Sequence, residues 1–197
     1  MGKERLAAFS DGVVAIIITI MVLEFKVPHG ADMPALRPLI PTFLSYVLSF
    51  IYIGIYWDNH HHLLAVTERV SGAILWANMH LLFWLSLIPI TTAWMGENHF
   101  APAPTAVYGV VLLAAAIAYG ILQHMILHIE GPKSLMASAL GRDIKGEISP
   151  VFYLFAVPFA FWRPWIAEIF YVLVALMWLV PDRRIERSIV SPREIHS

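Results

Sequence analysis

The chain of 197 residues contains no cysteine. Disulfide bonds, cysteine-ligated iron–sulfur clusters and thiol catalysis are therefore excluded. The chain also has little net charge, because 13 Lys and Arg residues face 14 Asp and Glu residues and leave a formal charge of -1 at pH 7. This balance argues against a nucleic-acid partner.

Charged residues of either sign are scarce, and hydrophobic residues take their place. They make up 59% of the chain, against 14% charged residues, which exceeds what a soluble domain of this length needs for its core. A helix needs about 20 apolar residues to span roughly 30 Å of hydrocarbon. We therefore predict an all-α, polytopic membrane protein whose single domain has six transmembrane helices, at about residues 5–27, 38–62, 70–94, 104–129, 147–162 and 164–182.

The weakest of these boundaries is the one between the last two segments. The stretch 147–182 is too long for one crossing, so we predict a hairpin at Trp162-Arg163-Pro164. The distribution of Lys and Arg agrees with six crossings, since these residues accumulate on the cytoplasmic side of a membrane. Ten of the 13 fall on one side, and both termini are therefore predicted to be cytoplasmic: Lys3, Arg5, Arg69, Lys133, Arg142, Lys145, Arg183, Arg184, Arg187 and Arg193.

The first segment combines an apolar helix with a polar cluster at one end, formed by Arg5, Phe9, Ser10 and Asp11. An ionised aspartate near the bilayer costs roughly 2.5–3.5 kcal/mol on insertion scales, so Asp11 needs a partner. That partner is either a group on another helix or the backbone amides at the start of its own helix.

The same helix carries a narrow aliphatic stripe of Ile16, Ile20 and Leu23, with Thr19 beside it. At 100° per residue, Asp11 points about 140° away from Ile16. If Asp11 is buried against its own subunit, the stripe is free to meet its copies around a symmetry axis. Ordinary helix packing is the alternative interpretation of the stripe.

Histidines are the other group that could carry chemistry. The run His60-His61-His62 suggests a metal, but consecutive residues on a helix point about 100° apart and do not converge on one ion without other ligands. His124 and His128 do share a helix face, either as packing or interfacial residues or as ligands in a metal- or haem-dependent membrane enzyme. We predict no metal site and no enzyme.

The polar positions of the first three segments resemble the endosomal and lysosomal potassium channel family called transmembrane protein 175. Its signature is similar to Arg5-x-x-x-Phe9-Ser10-Asp11-Gly12, its second-helix motif resembles Trp57-x-x-His60, and its third helix resembles Asn78 with the run 82–89. The resemblance by motif spans about residues 3–92, and the rest of the chain matches only by segment count and polarity.

This resemblance implies a homotetramer of six-span subunits around a central pore lined by the first helix, as in the bacterial members with a single repeat. It places the constriction on Ile16, Ile20 and Leu23, with Thr19 as a polar ring next to it. The partners would be membrane lipid and further copies of the chain, in the plasma membrane of a bacterium. The remaining signature residues would support the pore helix through hydrogen bonds rather than touch the ion: Arg5, Phe9, Ser10, Asp11, Trp57, His60 and Asn78.

The expected mechanism differs from that of a carbonyl-lined potassium filter, because the chain has no Thr-Val-Gly-Tyr-Gly loop. Rings of Ile and Leu instead form a hydrophobic neck, which closes by dewetting and passes a partly hydrated cation when it widens. We expect a leak channel with no cofactor, with potassium as the permeant ion and a modest preference over sodium. A proton-conducting channel and a secondary transporter are the alternatives. A transporter would need a titratable group exposed alternately to each side.

Overall fold

The computed structural model describes residues 2–65, 67–131 and 144–180. All regular secondary structure in these residues is helical, which confirms the predicted all-α fold class. A 3-10 segment, Met33–Leu39, leads directly into the second of seven α-helices. The helices of the described residues are α1 Lys3–Leu23, α2 Ile40–Ala65, α3 Gly72–Ser86, α4 Ile88–Glu97, α5 Pro102–Glu130, α6 Ile144–Trp162 and α7 Pro164–Leu179.

Four stretches of the described residues are long and apolar enough to cross a membrane, so the protein is a multi-pass membrane protein. They are Lys3–Leu23, Met33–Ala65, Gly72–Glu97 and Pro102–Glu130. Helix α7 is a shorter apolar helix, and residues 181 and 182 of the segment predicted to contain it lie outside the described residues. Helices α6 and α7 meet at Arg163, whose extended backbone lies where the hairpin was expected.

The helices depart from the sequence-based expectation most clearly at two places. Helix α1 ends at Leu23 rather than near residue 27, because Phe25 leaves the helix and packs against aromatic rings of α2. The third segment is broken at Leu87 into α3 and α4. Pro89 explains the break, since proline has no amide hydrogen to donate to the preceding turn and is tolerated only near the start of a helix.

The bundle has α1 on one side and α5 at its centre. Helix α1 contacts α2, α3 and α4, whereas α5 contacts α3, α4, α6 and α7. Small side chains along α5 allow this close packing, because its alanines at the contacts are almost completely buried: Ala106, Ala115 and Ala118. Buried hydroxyl groups add hydrogen bonds between helices. The Tyr52 hydroxyl of α2, for example, donates to the carbonyl of Tyr171 of α7 at 2.5 Å.

Hydrogen bonds at the Lys3 end of the bundle join several chain segments. The Lys3 ammonium donates to the carbonyl of Ala65 at the end of α2, at 3.0 Å. The Glu130 carboxylate at the end of α5 accepts from the amides of Glu68 and Arg69, at 2.8 and 2.9 Å. The start of α1, the end of α2 and the end of α5 therefore lie at the same end of the bundle, together with Lys3, Arg5 and Arg69. Of the other predicted cytoplasmic cations, Lys133, Arg142, Arg183, Arg184, Arg187 and Arg193 lie outside the described residues.

Candidate functional site

The aliphatic stripe of α1 lies on the exposed side of the helix. Ile16 is 59% exposed, Ile20 41% and Leu23 77%. The side of α1 that packs against the subunit consists instead of Leu6, Ser10, Val14, Ile17 and Met21. Thr19 is exposed next to the stripe, and its hydroxyl donates to the carbonyl of Ala15 at 2.7 Å. A single subunit therefore leaves the predicted constriction residues uncovered.

A groove of about 370 Å³ runs along one flank of the stripe. The α1 wall includes Ile16, Ile20 and Glu24, and the opposite wall includes Pro89 and Ile90, next to the break between α3 and α4. Apart from Glu24 and the Ser86 hydroxyl, the groove is apolar. The break in the third segment thus opens space beside the stripe.

Three buried polar side chains on three different helices hold the Lys3 end of α1. Asn78 of α3 donates to the Ser10 hydroxyl of α1 at 3.0 Å, and its amide oxygen lies 2.6 Å from Nε2 of His60 on α2. Because an amide oxygen only accepts, Nε2 of His60 must carry the proton in this bond. The Ser10 hydroxyl then donates to the carbonyl of Leu6, at 2.9 Å. Donors and acceptors therefore point one way along the chain of bonds, from α2 through α3 to the backbone of α1.

A separate bond joins α1 to α2 at the surface. The Trp57 indole donates to the Asp11 carboxylate at 2.9 Å, so Asp11 has a partner on another helix. The two other signature residues do not join these bonds within the described residues: the Arg5 side chain is exposed and Phe9 is 49% exposed. The structure therefore brings together Ser10, Asn78 and His60 in one network and pairs Asp11 with Trp57.

The Leu23 end of α1 has contacts that the sequence analysis missed. Phe25 packs against the rings of Phe43 and Tyr46, and the Lys26 ammonium lies 2.7 Å from the carboxylate of Glu97 at the end of α4. This hydrogen bond and the negative charge of Glu97 raise the pKa of Lys26 above its usual value. The sequence signal was a basic residue at the end of the first predicted segment and an acidic residue shortly after the third, which alone does not predict a pair.

The histidines do not form a metal site within the described ranges. No group of three or more His, Cys, Asp and Glu side chains that could hold an ion occurs there. His60 is committed to Asn78, and His62 lies 3.5 Å from Asp58 on its own helix.

Proteins similar to this chain are channels. A family model described as endosomal/lysosomal potassium channel TMEM175 matches residues 5–89. A protein of Chryseobacterium sp. (strain P1-3), named as a potassium channel, is 56% identical over 189 residues, which cover 96% of this chain and 98% of that protein. A protein of Gallus gallus, named endosomal/lysosomal proton channel TMEM175, is 32% identical over 102 residues, which cover 46% of this chain and 20% of that protein.

The fold has a solved relative as well. The crystal structure of a lysosomal potassium-selective channel TMEM175 homolog from Chamaesiphon minutus is similar with a TM-score of 0.79 and 29% sequence identity, over 90% of this chain and 96% of that one. This is a family of channels rather than of enzymes. With a relative at 56% identity along almost the whole of both chains, and a matching fold, the chain belongs to the TMEM175 channel family.

Proposed function

We propose that this protein is a potassium-permeable cation channel that conducts passively through a hydrophobic constriction on the axis of a homotetramer. The names of its bacterial relatives support the potassium permeability. The observation that carries the proposed pore is the exposure of Ile16, Ile20 and Leu23 on a helix that is held to its subunit by buried polar bonds on another side.

A second exposed apolar stripe, on α3 and α4, has the composition expected of a lipid-facing surface. Helices α3 and α4 expose Trp76, Phe83 and Trp94, and the two tryptophans are 18 residues apart, which corresponds to about 27 Å in a continuous helix. Tryptophan prefers the two membrane interfaces, which enclose roughly 30 Å of hydrocarbon. Helix α1 contains neither Trp nor Tyr, so its aliphatic stripe lacks interfacial anchors and is better suited to meet other copies.

In the proposed pore, four copies of Ile16, Ile20 and Leu23 form successive apolar rings. A narrow apolar neck excludes water, and it conducts once a small helix movement lets hydrated ions enter. Potassium sheds its water more easily than sodium, so a modest potassium preference follows without a carbonyl filter. Thr19 would add a ring of hydroxyl oxygens beside the neck. Conduction of this kind requires no cofactor and no chemical energy source.

We assign the signature residues to supporting α1 rather than to contacting the ion. Ser10, Asn78 and His60 fix the helix at one depth and rotation, and Trp57 holds Asp11 away from the stripe. Arg5 and Phe9 are assigned to the same end of the pore. We also propose that the Lys3 end faces the cytoplasm of a bacterium, with both termini inside and the protein in the plasma membrane, because most Lys and Arg residues fall on that side.

Flux into liposomes that contain the purified protein tests the proposed function. The wild type should carry potassium down its gradient, and Ile20→Asn should alter the potassium flux or the potassium-to-sodium ratio, because a polar ring hydrates the neck. Ile117→Asn is the matched control, since Ile117 of α5 is exposed to a similar degree, 48% against 41%. No flux in the wild type, or the same response in both variants, would reject the proposed pore.

Proton conduction is the second candidate function. The Gallus gallus relative carries the name of a proton channel, and a hydrated neck that passes potassium can also hold a file of water. The same liposomes, loaded with a pH indicator and without potassium, measure it directly. A proton flux that Ile20→Asn changes together with the potassium flux would place both ions in one pore.

A further inference from the structure

The Leu23 end of the pore helix is tied to the rest of the subunit directly beyond its last turn. The amide of Glu24 still bonds to the carbonyl of Ile20, at 3.2 Å, and the chain then leaves the helix. The ring of Phe25 meets Tyr46 edge-on, with ring centres 5.1 Å apart, and lies 6.4 Å from the ring of Phe43. Both rings belong to α2, so Phe25 fixes the exit of α1 against that helix.

An ion pair ties the next residue to a different helix. The Lys26 ammonium lies 2.7 Å from the carboxylate of Glu97, the last residue of α4. The position of Glu97 is fixed by its neighbour Gly96. Gly96 packs so closely on α2 that a Cβ atom there would collide with Ser45 and with the backbone of Thr42. The ion pair therefore connects α1 to a fixed point rather than to a mobile chain end.

These two contacts lie close to the proposed constriction. Leu23 is two residues before Phe25 and three before Lys26, whereas the Ser10 network lies more than three helical turns away from Leu23. Movements of the Leu23 end therefore depend on these contacts rather than on the signature residues. Glu97 and Lys26 are 44% and 76% exposed, so their pair is weak enough to form and break.

We propose that Phe25 and Lys26 are positioning residues that set the width of the pore at Leu23 and Ile20, with Glu97 as the partner that holds Lys26. This inference rests on the proposed function, because it needs the stripe to face the axis. Release of the ion pair lets the Leu23 ends of the four pore helices move apart. The neck then hydrates more easily, so cation flux rises and the preference for potassium over sodium falls.

Charge exchange across the pair tests the ion-pair step. Lys26→Glu and Glu97→Lys should each raise the potassium flux per tetramer by about two- to fivefold, the factor by which an exposed ion pair biases an equilibrium. The double variant should return flux and potassium-to-sodium ratio towards the wild type. A direct effect of negative charge at position 26 would instead persist in the double variant and would reject the pair. Asp58→Lys is the control, because it breaks an exposed pair with His62 on α2 and should leave the flux unchanged.

Phe25 provides an uncharged test of the same anchor. Phe25→Ala removes the contact with Tyr46 and Phe43 and should raise the flux and lower the potassium-to-sodium ratio, whereas Phe25→Tyr keeps the ring and should behave as the wild type. A merely structural role predicts a lower yield of tetramer with unchanged flux per tetramer and unchanged ion ratio. That result would overturn the assignment of Phe25.

A measurement without ion flux separates this inference from the proposed function. The chain has no cysteine, so Val22→Cys carries a nitroxide spin label as the only labelled site near the Leu23 end. Lys26→Glu should make the label more mobile, and the double variant with Glu97→Lys should restore it. An unchanged label would reject the anchor even if the wild type conducts. Restored immobilisation in a protein that conducts no ions would support the anchor and reject the pore.

Discussion

Helices α1 and α5 are both long and strongly apolar, but the subunit buries them to different degrees. Within an apolar 18-residue stretch, 28% of the residues are buried in α1 and 50% in α5. Helix α5 lies among neighbours on several sides, whereas α1 contacts its subunit along one face. Packing inside the subunit therefore stabilises α1 less than it stabilises α5.

The balance of contacts that hold the two helices also differs. Helix α5 combines small buried residues that let neighbours approach closely, such as Ala115 and Gly109, with buried hydrogen bonds such as that between Tyr108 and Ser49 of α2. Helix α1 relies on directional bonds from Ser10 and Asp11 to α3 and α2. Many sequences satisfy close packing, but few satisfy a chain of donors and acceptors.

The largest effect is expected from removing the central residue of the α1 network. Asn78→Leu keeps the branched shape and the number of heavy atoms of the side chain but leaves Nε2 of His60 without an acceptor in a buried site. An unsatisfied buried donor together with the lost bond to Ser10 should lower the free energy of unfolding by about 2–3 kcal/mol. Thermal unfolding of the purified protein in detergent measures the change.

Asn59→Leu is the matched control for this prediction. Asn59 lies on α2 and is half-buried, and its side-chain amide donates within its own helix, to the carbonyl of Ile55 at 2.7 Å. Loss of this hydrogen bond should lower the free energy of unfolding by less than about 1 kcal/mol. Equal destabilisation by the two variants would show that directional bonds between helices do not distinguish α1 from the rest of the subunit.

The same contrast determines what the sequence alone could predict. The helical wheel located the stripe of α1 that the structure leaves exposed, and the resemblance to the family's motifs indicated Ser10, Asn78 and His60 as supports of that helix. Contacts with the backbone were not predictable, since any residue supplies a carbonyl oxygen. The bond from Tyr52 to the carbonyl of Tyr171 is one example.

Aromatic packing and helix breaks were likewise not predictable from the sequence alone. Phe25 and Tyr46 are separated by 20 residues of loop and helix, and nothing in either residue specifies the other. The break at Leu87 was missed, because Pro89 in an apolar segment is compatible with a kinked helix as well as with a new start. Both features depend on how the helices pack, not on local periodicity.

A smaller effect is expected where α5 meets α7. A Cβ atom on Gly109 would overlap the ring and hydroxyl of Tyr171, whose hydroxyl donates to the carbonyl of Thr105 at 3.0 Å. Gly109→Leu therefore displaces Tyr171 and should destabilise the protein by about 2 kcal/mol, as overpacking of a tight core commonly does. Gly120→Leu is the control in the same helix, because a Cβ atom there meets no neighbouring atom within 4 Å. If both substitutions lower the free energy of unfolding by the same amount, close packing is not what holds α5.

The smallest effect is expected from the hydroxyl of Tyr52, which joins α2 to α7. Tyr52→Phe keeps the ring but removes two hydrogen bonds. One is the bond to the carbonyl of Tyr171, which can still accept from the helix amide one turn further on, and the other joins the Tyr52 and Tyr153 hydroxyls. Because the Tyr153 hydroxyl can rotate towards another acceptor, the loss should be about 1 kcal/mol, below that of Asn78→Leu, which leaves the fixed ring N–H of His60 without its acceptor. Tyr46→Phe, at a half-buried ring that contacts Phe25 and Phe50, is the control in the same helix. If Tyr52→Phe lowered the free energy of unfolding as much as Asn78→Leu, hydrogen bonds would secure the α5 to α7 part of the bundle as strongly as they secure α1. The contrast between α1 and α5 would then rest on burial alone.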